Sequence, residues 1–485
     1  MFLGLDIGTS EVKALLLNDA HKMIGTAGAA LDVSRPQPGY SEQHPMDWWL
    51  ATQAALSQLR ASHRQAYDQV RAIGLSGQMH GAVLLDGQGQ VLRPAMLWND
   101  TRASAECTEM MDEMPSLAHV AGSLAMPGFT APKLRWLAKH EPELFSRIDK
   151  VMCPKDFVSL QLTGDCATDM SDASGTMWLD IAERDWCDAA LALTGLSRQH
   201  MPRLLEGSRS RGYVSAVAVN LLGLPASVLV AAGAGDNAAS AVGMGAVQPG
   251  QGFLSLGTSG VLFVVTPSYQ PNAASATHAF CHALPNRWHQ MSVMLSAASC
   301  LQWAARLLGA ESVGELEAQA ASLSESQRAH APIFLPYLSG ERTPHNSASV
   351  RGSFHGLSHD TGPAELAYAV MEGVSFGLCD GLAALNSAIG STGSQIERLS
   401  LVGGGARSAF WAQQLASSLG ISIVTHGGAE AGGALGAARL GWLALGGSEQ
   451  DVCIAPSITD VFTPSASEQA LLAPRYQRFK ALYHS

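Results

Sequence analysis

Basic residues are scarce in this chain: 30 Lys and Arg stand against 41 Asp and Glu, a formal net charge of −11 over 485 residues. That balance excludes the clustered basic face of a nucleic-acid binder, although backbone N–H groups remain free to hold an anionic ligand. Charge of either sign is sparse, 15% of residues against 47% hydrophobic, which excludes intrinsic disorder. Long uninterrupted apolar runs are missing. The least polar stretch, residues 223–247, carries Asp236 and Asn237 at its middle. Both would be costly in lipid, so the stretch reads as a buried strand, turn and helix and no membrane contact is expected. The eight cysteines form no C-x-x-C pair and read as reduced thiols. The N-terminus, MFLGLDIGTS, has no basic segment and meets Asp6 almost at once, so a cytoplasmic protein is expected rather than a secreted one. No G-x-x-x-x-G-K-[ST], H-E-x-x-H or G-x-S-x-G is present, which argues against P-loop enzymes, zinc proteases and serine hydrolases.

Glycine, by contrast, is abundant. The 49 glycines are about a tenth of the chain, above the ordinary ~7%. An excess in a globular chain points to tight loops where backbone approaches a ligand. Apolar strands are expected at 2–7, 12–17 and 22–33, and a helix from Asp47 to about Arg60. Further strands are expected at 70–76, 81–86 and 91–98, and residues 103–210 read as mixed and mainly helical. Later, strands alternate with helices: 227–232 before 237–245, 397–402 before 407–418, and 421–424 before 432–446. This alternation predicts an α/β fold.

A duplication lies within the pattern. Residues 5–12, LDIGTSEV, align with residues 254–261, LSLGTSGV, at an offset of 249. Both copies sit between apolar strands, so two related α/β domains are expected, with a boundary near 246–252. A Gly-Thr-Ser turn between strands can gather backbone N–H groups and hydroxyls around a phosphate. Taken singly it is equally an ordinary hairpin turn; two facing copies are what a triphosphate clamp needs. Asp6, directly before the first turn, suits magnesium beside phosphate oxygens. A third cluster, Gly403-Gly404-Gly405, follows a strand and precedes a helix, and can admit a base or phosphate against bare backbone.

Asp236 stands in GAGDN between a strand and an Ala-rich helix. It is either the helix N-cap or, given flanking glycines and a strand C-terminal end, a base for a sugar hydroxyl. Gln78-Met79-His80 and Trp98-Asn99-Asp100-Thr101-Arg102 also follow strands and are expected to face the same cleft, although a lone histidine is commonly structural. His278 and His282 would lie about 13 Å apart on a strand, too far to share one metal ion. Asp169 and Asp172 read as organisers of a Ser/Asp-rich turn.

Ten segments together resemble the FGGY family of carbohydrate kinases over nearly the whole chain. They are LDIGTS (5–10), SGQMHGAVLLD (76–86), LWNDTR (97–102), MPGFTAPKLRWLAKHEPE (126–143), PKDFVSLQLTGD (154–165), SDASGTMWLD (171–180), GAGDNAA (233–239), SLGTSG (255–260), FLPYLSGERTPHN (334–346) and LVGGGAR (401–407). The resemblance implies two duplicated ribonuclease-H-like domains of the actin-like ATPase type with the active site in the cleft. It divides the chain into residues 1–246 (sugar site, first phosphate loop, catalytic Asp), 252–446 (nucleotide) and a tail, 447–485, packed on the second domain. By the same resemblance Asp236 is the proton acceptor, and Met79, His80, Asp236 and Asn237 bind the sugar. Gly8, Thr9, Ser10, Gly257, Thr258 and Ser259 would hold phosphates, Gly403, Gly404 and Gly405 the adenosine, and Asp6 magnesium. Gly128, where the related glycerol kinases carry an aromatic, would leave room for a five-carbon ketose. The implied activity is phosphorylation of D-xylulose at O5 by ATP with Mg²⁺. Another ketose or polyol such as ribulose is the alternative within the family, and an actin-like chaperone or filament ATPase the alternative outside it. The partners implied are a small-molecule sugar and a nucleotide, with no nucleic acid or membrane and a homodimer left open. One departure stands out: Glu11 replaces the glycine that follows the first Gly-Thr-Ser. It is expected to face solvent rather than the metal, because Asp6 already serves magnesium.

Overall fold

The computed structural model describes residues 1–389, 396–428 and 432–483. Two seven-stranded sheets are built on one plan. In the first, strands Phe2–Ile7, Glu11–Leu17 and Met23–Ala30 form an antiparallel meander. Ala72–Gly77 and Leu229–Ala231 then extend it in parallel from Phe2–Ile7, and antiparallel Ser210–Tyr213 closes that edge. The second repeats the order with the meander Gly252–Leu256, Gly260–Thr266 and Trp288–Met294. Arg398–Val402 and Ser422–His426 follow in parallel and Ile458–Phe462 is antiparallel at the edge. The short LDIGTS/LSLGTS match is thus the visible remnant of a duplicated topology, with each Gly-Thr-Ser at the first hairpin of its sheet.

The central strands are buried on both faces and read as near-continuous apolar runs, as the FLGLDI and FVVT segments do, whereas edge strands Met23–Ala30 and Ile458–Phe462 are half-buried or exposed throughout. One face of the first sheet packs on helix Pro45–Ser62, whose Trp48, Ala55, Leu56 and Leu59 are fully enclosed. Its other face is covered by a helix from far along the chain, Gly432–Ala444. That helix lies so close that a Cβ on Gly4 or Gly74 would stand 1.8 Å from the carbonyl oxygen of Ala434 or Ala437. Bare backbone is what permits the approach. The same helix crosses Asp236–Met244 at Gly436, where a Cβ would stand 1.8 Å from the Ala239 carbonyl oxygen.

The second half is organised around helix Pro363–Ile389, which is long and apolar enough to cross a membrane, but 83% of its most apolar stretch is buried inside the molecule. Glu372 on it forms a buried ion pair with Arg475 of the C-terminal helix Ala466–Tyr483, at 2.6 and 2.7 Å. The expected strand at 91–98 contracts to Ala95–Met96, because Pro94 cannot donate to a ladder. The helix expected from Arg407 begins at Ala409, after a 3-10 turn over Gly404–Arg407, with Ser408 capping it through the Trp411 N–H. The glycine that opens this turn, Gly403, has φ +90° and presses on Leu256 O and Gly257 N.

Candidate active site

Three adjacent parallel strands of the first sheet end at one place. Ser76 pairs in register with Asp6 on one side and with Ala234 on the other. This brings Asp6, Gln78 and Asp236 to a common edge. Ser76 donates its hydroxyl to Asp6 Oδ1 at 2.8 Å, and burial raises the Asp6 pKa above its ordinary value. Gly433, in the first turn of the crossing helix, faces the same carboxylate.

Asp236 is not the N-cap. Gly235 holds that position and Asp236 opens the helix Asp236–Met244. Its Oδ1 accepts from the Asn237 backbone N–H at 2.7 Å and from Asn237 Nδ2 at 3.0 Å. A carboxylate at a helix N-terminus ordinarily acidifies. Here burial, and then the negative charge of Asp6, push its pKa up to about 6.

The first Gly-Thr-Ser loop is braced from below. Gln78 Nε2 donates to Gly8 O (3.3 Å) and to Gln43 Oε1 (3.0 Å), and Gln43 in turn donates to Thr9 O (2.7 Å). The Thr9 hydroxyl donates to Gln78 Oε1 and accepts from the Trp98 indole N–H, both at 3.0 Å. That hydroxyl is therefore occupied. What the loop offers a ligand is the backbone N–H groups of Thr9 and Ser10, which find no acceptor among the described residues, and the exposed Ser10. The second loop has the same economy: Gly257 N–H closes on Ser259 O at 3.1 Å, while those of Thr258 and Ser259 stay open among the described residues. Gly403 packs the third glycine cluster against this second loop.

His80 takes φ +70°, an uncommon conformation for a residue with a side chain. It is held there by its carbonyl, which accepts from Lys133 Nζ (2.9 Å) and Thr130 Oγ1 (3.2 Å). Its Nδ1 lies 2.7 Å from Gly175 O and so carries the hydrogen, leaving Nε2 as an acceptor. The ring stacks on Phe129 at 4.2 Å, and burial lowers its pKa to about 3. Met79 packs its sulfur against Gly235, directly before Asp236. On the far side of Phe129 is His278 of the second half, with ring centroids 5.8 Å apart, followed by Arg342.

Other sequence candidates have structural duties. Asp100 and Arg102 pair at 2.6 Å, and Arg102 also reaches Glu42 and stacks on Tyr40. Of that segment Trp98 remains open, 47% exposed. Gly128 does not simply free space for a sugar, because a Cβ there would stand 1.9 Å from the Trp98 carbonyl oxygen, so close backbone contact dictates the glycine. Asp169 caps the helix Met170–Ser174 through Ser171 N and Asp172 N. Cys153, Asp156 and Asp172 gather closely enough to suggest a metal. The Lys155 ammonium already sits among the carboxylates, 2.6 Å from Asp156, 2.8 Å from Asp169 and 3.1 Å from Asp172. This cluster backs the site, since the Ser171 hydroxyl donates to Asp169 and accepts the Gly235 N–H at 3.1 Å. His282 turns to Ala246 O and Leu284 N, away from His278. Glu11 has ordinary backbone geometry, leans over Gly28 and lies 3.8 Å from Lys13, half exposed. A hollow of about 810 Å³ lined by Gly252, Arg398 and Ser422 lies at the N-terminal ends of the second sheet's parallel strands, opposite Gly257 and Gly403.

Two Gly-Thr-Ser hairpins at matching places on duplicated sheets, with a carboxylate pair at the edge of the first, follow the plan of a sugar kinase of the actin-like ATPase type. Residues 1–243 match the N-terminal domain and residues 252–445 the C-terminal domain of the FGGY family of carbohydrate kinases, and the chain belongs to that family. Among particular relatives, it is 48% identical over 485 residues to the xylulose kinase of Escherichia coli K12, covering 100% of this chain and 98% of that one. It is 50% identical over 446 residues to that of Klebsiella pneumoniae, covering 92% and 90%. The crystal structure of a xyloylose (xylulose) kinase from Brucella ovis superposes with a TM-score of 0.95 at 48% identity, covering 99% of this chain and 98% of that one. These matches do not favour a chaperone or filament ATPase.

Proposed function

We propose that the chain transfers the γ-phosphoryl group of ATP to O5 of D-xylulose, with Asp236 as the proton acceptor. The observation that carries this reading is a carboxylate at the cleft edge, raised to about 6 by burial and by Asp6, in a chain matched end to end by xylulose kinases. The transition state of phosphoryl transfer is loose, so positioning and charge neutralisation matter more than covalent chemistry. As the new O–P bond forms, the hydroxyl becomes acidic and its proton passes to Asp236 Oδ; ADP is the leaving group. Asn237 holds that carboxylate in place from its backbone and its amide. His80, neutral throughout the working pH range, accepts a sugar hydroxyl at Nε2, and Met79 walls the pocket.

The N–H groups of Thr9 and Ser10, with Gly8, and of Thr258 and Ser259, with Gly257, suit phosphate oxygens from opposite halves, and Gly403-Gly404-Gly405 suits the adenosine. Asp6 fits Mg²⁺: Ser76 occupies Oδ1 and leaves Oδ2, and Asp6 and Asp236 are two enclosed carboxylates acting on each other, with the half-exposed Lys13 as the cation that acts on Asp6. Bound there, the ion supplies charge neutralisation for the transferring phosphates. We assign sugar binding to residues 1–246 and nucleotide binding to 252–446. Eight free cysteines suit a reducing cytoplasm. A panel of ketoses and polyols in a coupled ADP-release assay tests the reading. D-xylulose is expected to give the highest kcat/KM, and failure of every sugar to raise ADP release above the basal rate would overturn it.

A further inference from the structure

We propose that Arg342, supplied by the second half of the chain, contacts the sugar at the end remote from the phosphorylated hydroxyl and selects ligands that present a carbonyl or carboxylate oxygen there. This rests on the ketose-kinase reading above and adds a residue and a ligand class to it.

Two other enclosed arginines are paired with carboxylates, whereas Arg439 and Arg211 donate to backbone carbonyls and keep further N–H groups that are sealed from solvent and without a partner among the described residues. Arg475 has Glu372, Arg102 has Asp100 and Glu42, and Arg439 donates to the carbonyls of Val242 and Gly243 at 3.0 and 2.7 Å. Arg342 differs. Its only side-chain partner among the described residues is His278 Nε2, 3.5 Å from Nη1, a long and weak contact. Neighbouring Glu341 spends its Oε1 on backbone, accepting Leu295 N–H at 2.9 Å and Arg342 N–H at 2.7 Å, so it anchors the loop and leaves the guanidinium unpaired. Arg342 is only partly buried, so its remaining guanidinium N–H groups are open to a ligand. Burial lowers the Arg342 pKa only to about 10, so the group is a cation at neutral pH. The Glu341 charge acts on the guanidinium through space but makes no ion pair with it, and a half-enclosed cation short of hydrogen-bond acceptors is costly unless a ligand supplies them.

Position identifies the ligand. From Arg342 a continuous wall runs through His278 and Phe129 to His80. Burial lowers the basicity of His278 and His80 first and the Arg342 charge adds to it, for His80 after that of Lys133, whereas the charge that adds to burial at Asp236 is Asp6. The guanidinium therefore belongs to the His80 end of the sugar pocket. A planar fork with several donors favours a carbonyl oxygen of an open-chain ketose, and favours more strongly the two oxygens of a carboxylate. Five-carbon aldonates should therefore compete with the sugar.

The test uses the full-length enzyme, with Arg342→Met and Arg342→Lys beside the wild type. KM for D-xylulose and for MgATP is measured, as is inhibition by a five-carbon aldonate, with melting curves as a check on folding. Arg342→Met is expected to raise the KM for D-xylulose about 10- to 100-fold, to leave that for MgATP within about twofold, and to abolish aldonate inhibition. Arg342→Lys keeps the charge and loses the fork, so it should recover part of the sugar affinity and little of the aldonate affinity. Should Arg342→Met fail to fold, the Lys variant and wild-type aldonate competition decide. An unchanged sugar KM in a folded variant, an equal rise for MgATP, or a wild type indifferent to aldonates overturns the inference. A wild type that phosphorylates no ketose overturns the functional reading instead.

Discussion

Asp236 makes the pH dependence of this enzyme predictable. A base must be ionised to accept a proton, and its pKa of about 6 means about 90% ionisation at pH 7, about 50% at pH 6 and about 10% at pH 5. An unperturbed aspartate would still be about 90% ionised at pH 5. The value of kcat/KM for the sugar, measured by coupled ADP release at MgATP well below its KM so that the free enzyme is read, should thus fall about tenfold between pH 7 and pH 5. His80 cannot produce this limb, because its pKa near 3 keeps it neutral throughout. Asp6→Asn removes the charge that helps raise Asp236, so the limb of its residual activity should move to lower pH. Stability gives a second readout with a definite sign. The folded-state pKa lies above the ordinary 3.8, so the ionised folded form is disfavoured; the cost is absent below pH ~3.8 and complete above pH ~6. Asp236→Asn should therefore raise stability by about 1–3 kcal/mol at pH 8, with a gain that vanishes near pH 4, while lowering kcat about 10²- to 10⁴-fold. A rate profile flat down to pH 5, together with a variant no more stable at pH 8 than at pH 4, would refute the perturbed-base argument.

Other residues give separate tests. His80→Ala should raise the KM for the sugar several-fold more than that for MgATP, since its ring is fixed by Gly175 and Phe129 on the sugar side; equal effects in steady-state kinetics would mark it as purely structural. Lys155→Met leaves Asp169 and Asp172 without their cation and Asp156 with only Arg211 at 3.8 Å, and chemical denaturation should show a loss of about 3–5 kcal/mol at neutral pH; a loss below about 1 kcal/mol would count against the cluster. Glu11→Gly removes an exposed contact to Lys13 and should leave kcat unchanged, with the KM for MgATP equal or slightly lower; a large loss rescued by excess magnesium would place Glu11 at the metal.

What the sequence discloses follows from where the physics is local. The two Gly-Thr-Ser hairpins and the strand before Gly403 are dictated by neighbouring residues, and apolar runs bounded by glycine can be read directly. Asp236 stood out because a carboxylate between glycines in an apolar stretch demands a reason. Lys133 gave no such signal: its ammonium reaches back 53 positions to hold the His80 carbonyl, a partnership that only the fold creates. Arg342 and Phe129 meet the site from different halves of the chain. Thr9 shows the reverse error, since a hydroxyl that looks free in a loop motif is taken by Gln78 and Trp98.

Helix Gly432–Ala444 has a bearing on how the chain is made. It covers the face of the first sheet formed by Phe2, Leu15, Leu17 and Ala72, yet it follows the last strand segment of that sheet, Ala234–Gly235, by nearly 200 residues. At about 5–20 residues per second a ribosome takes tens of seconds to deliver it. During that interval the first half has its strands but not the cover for one of their faces. An apolar sheet face open for that long is a natural place for a chaperone to hold the nascent chain. A fragment ending near residue 246 would keep that face open permanently, so expression of the first half alone should yield aggregate unless residues 432–444 are restored to it as a separate or fused segment.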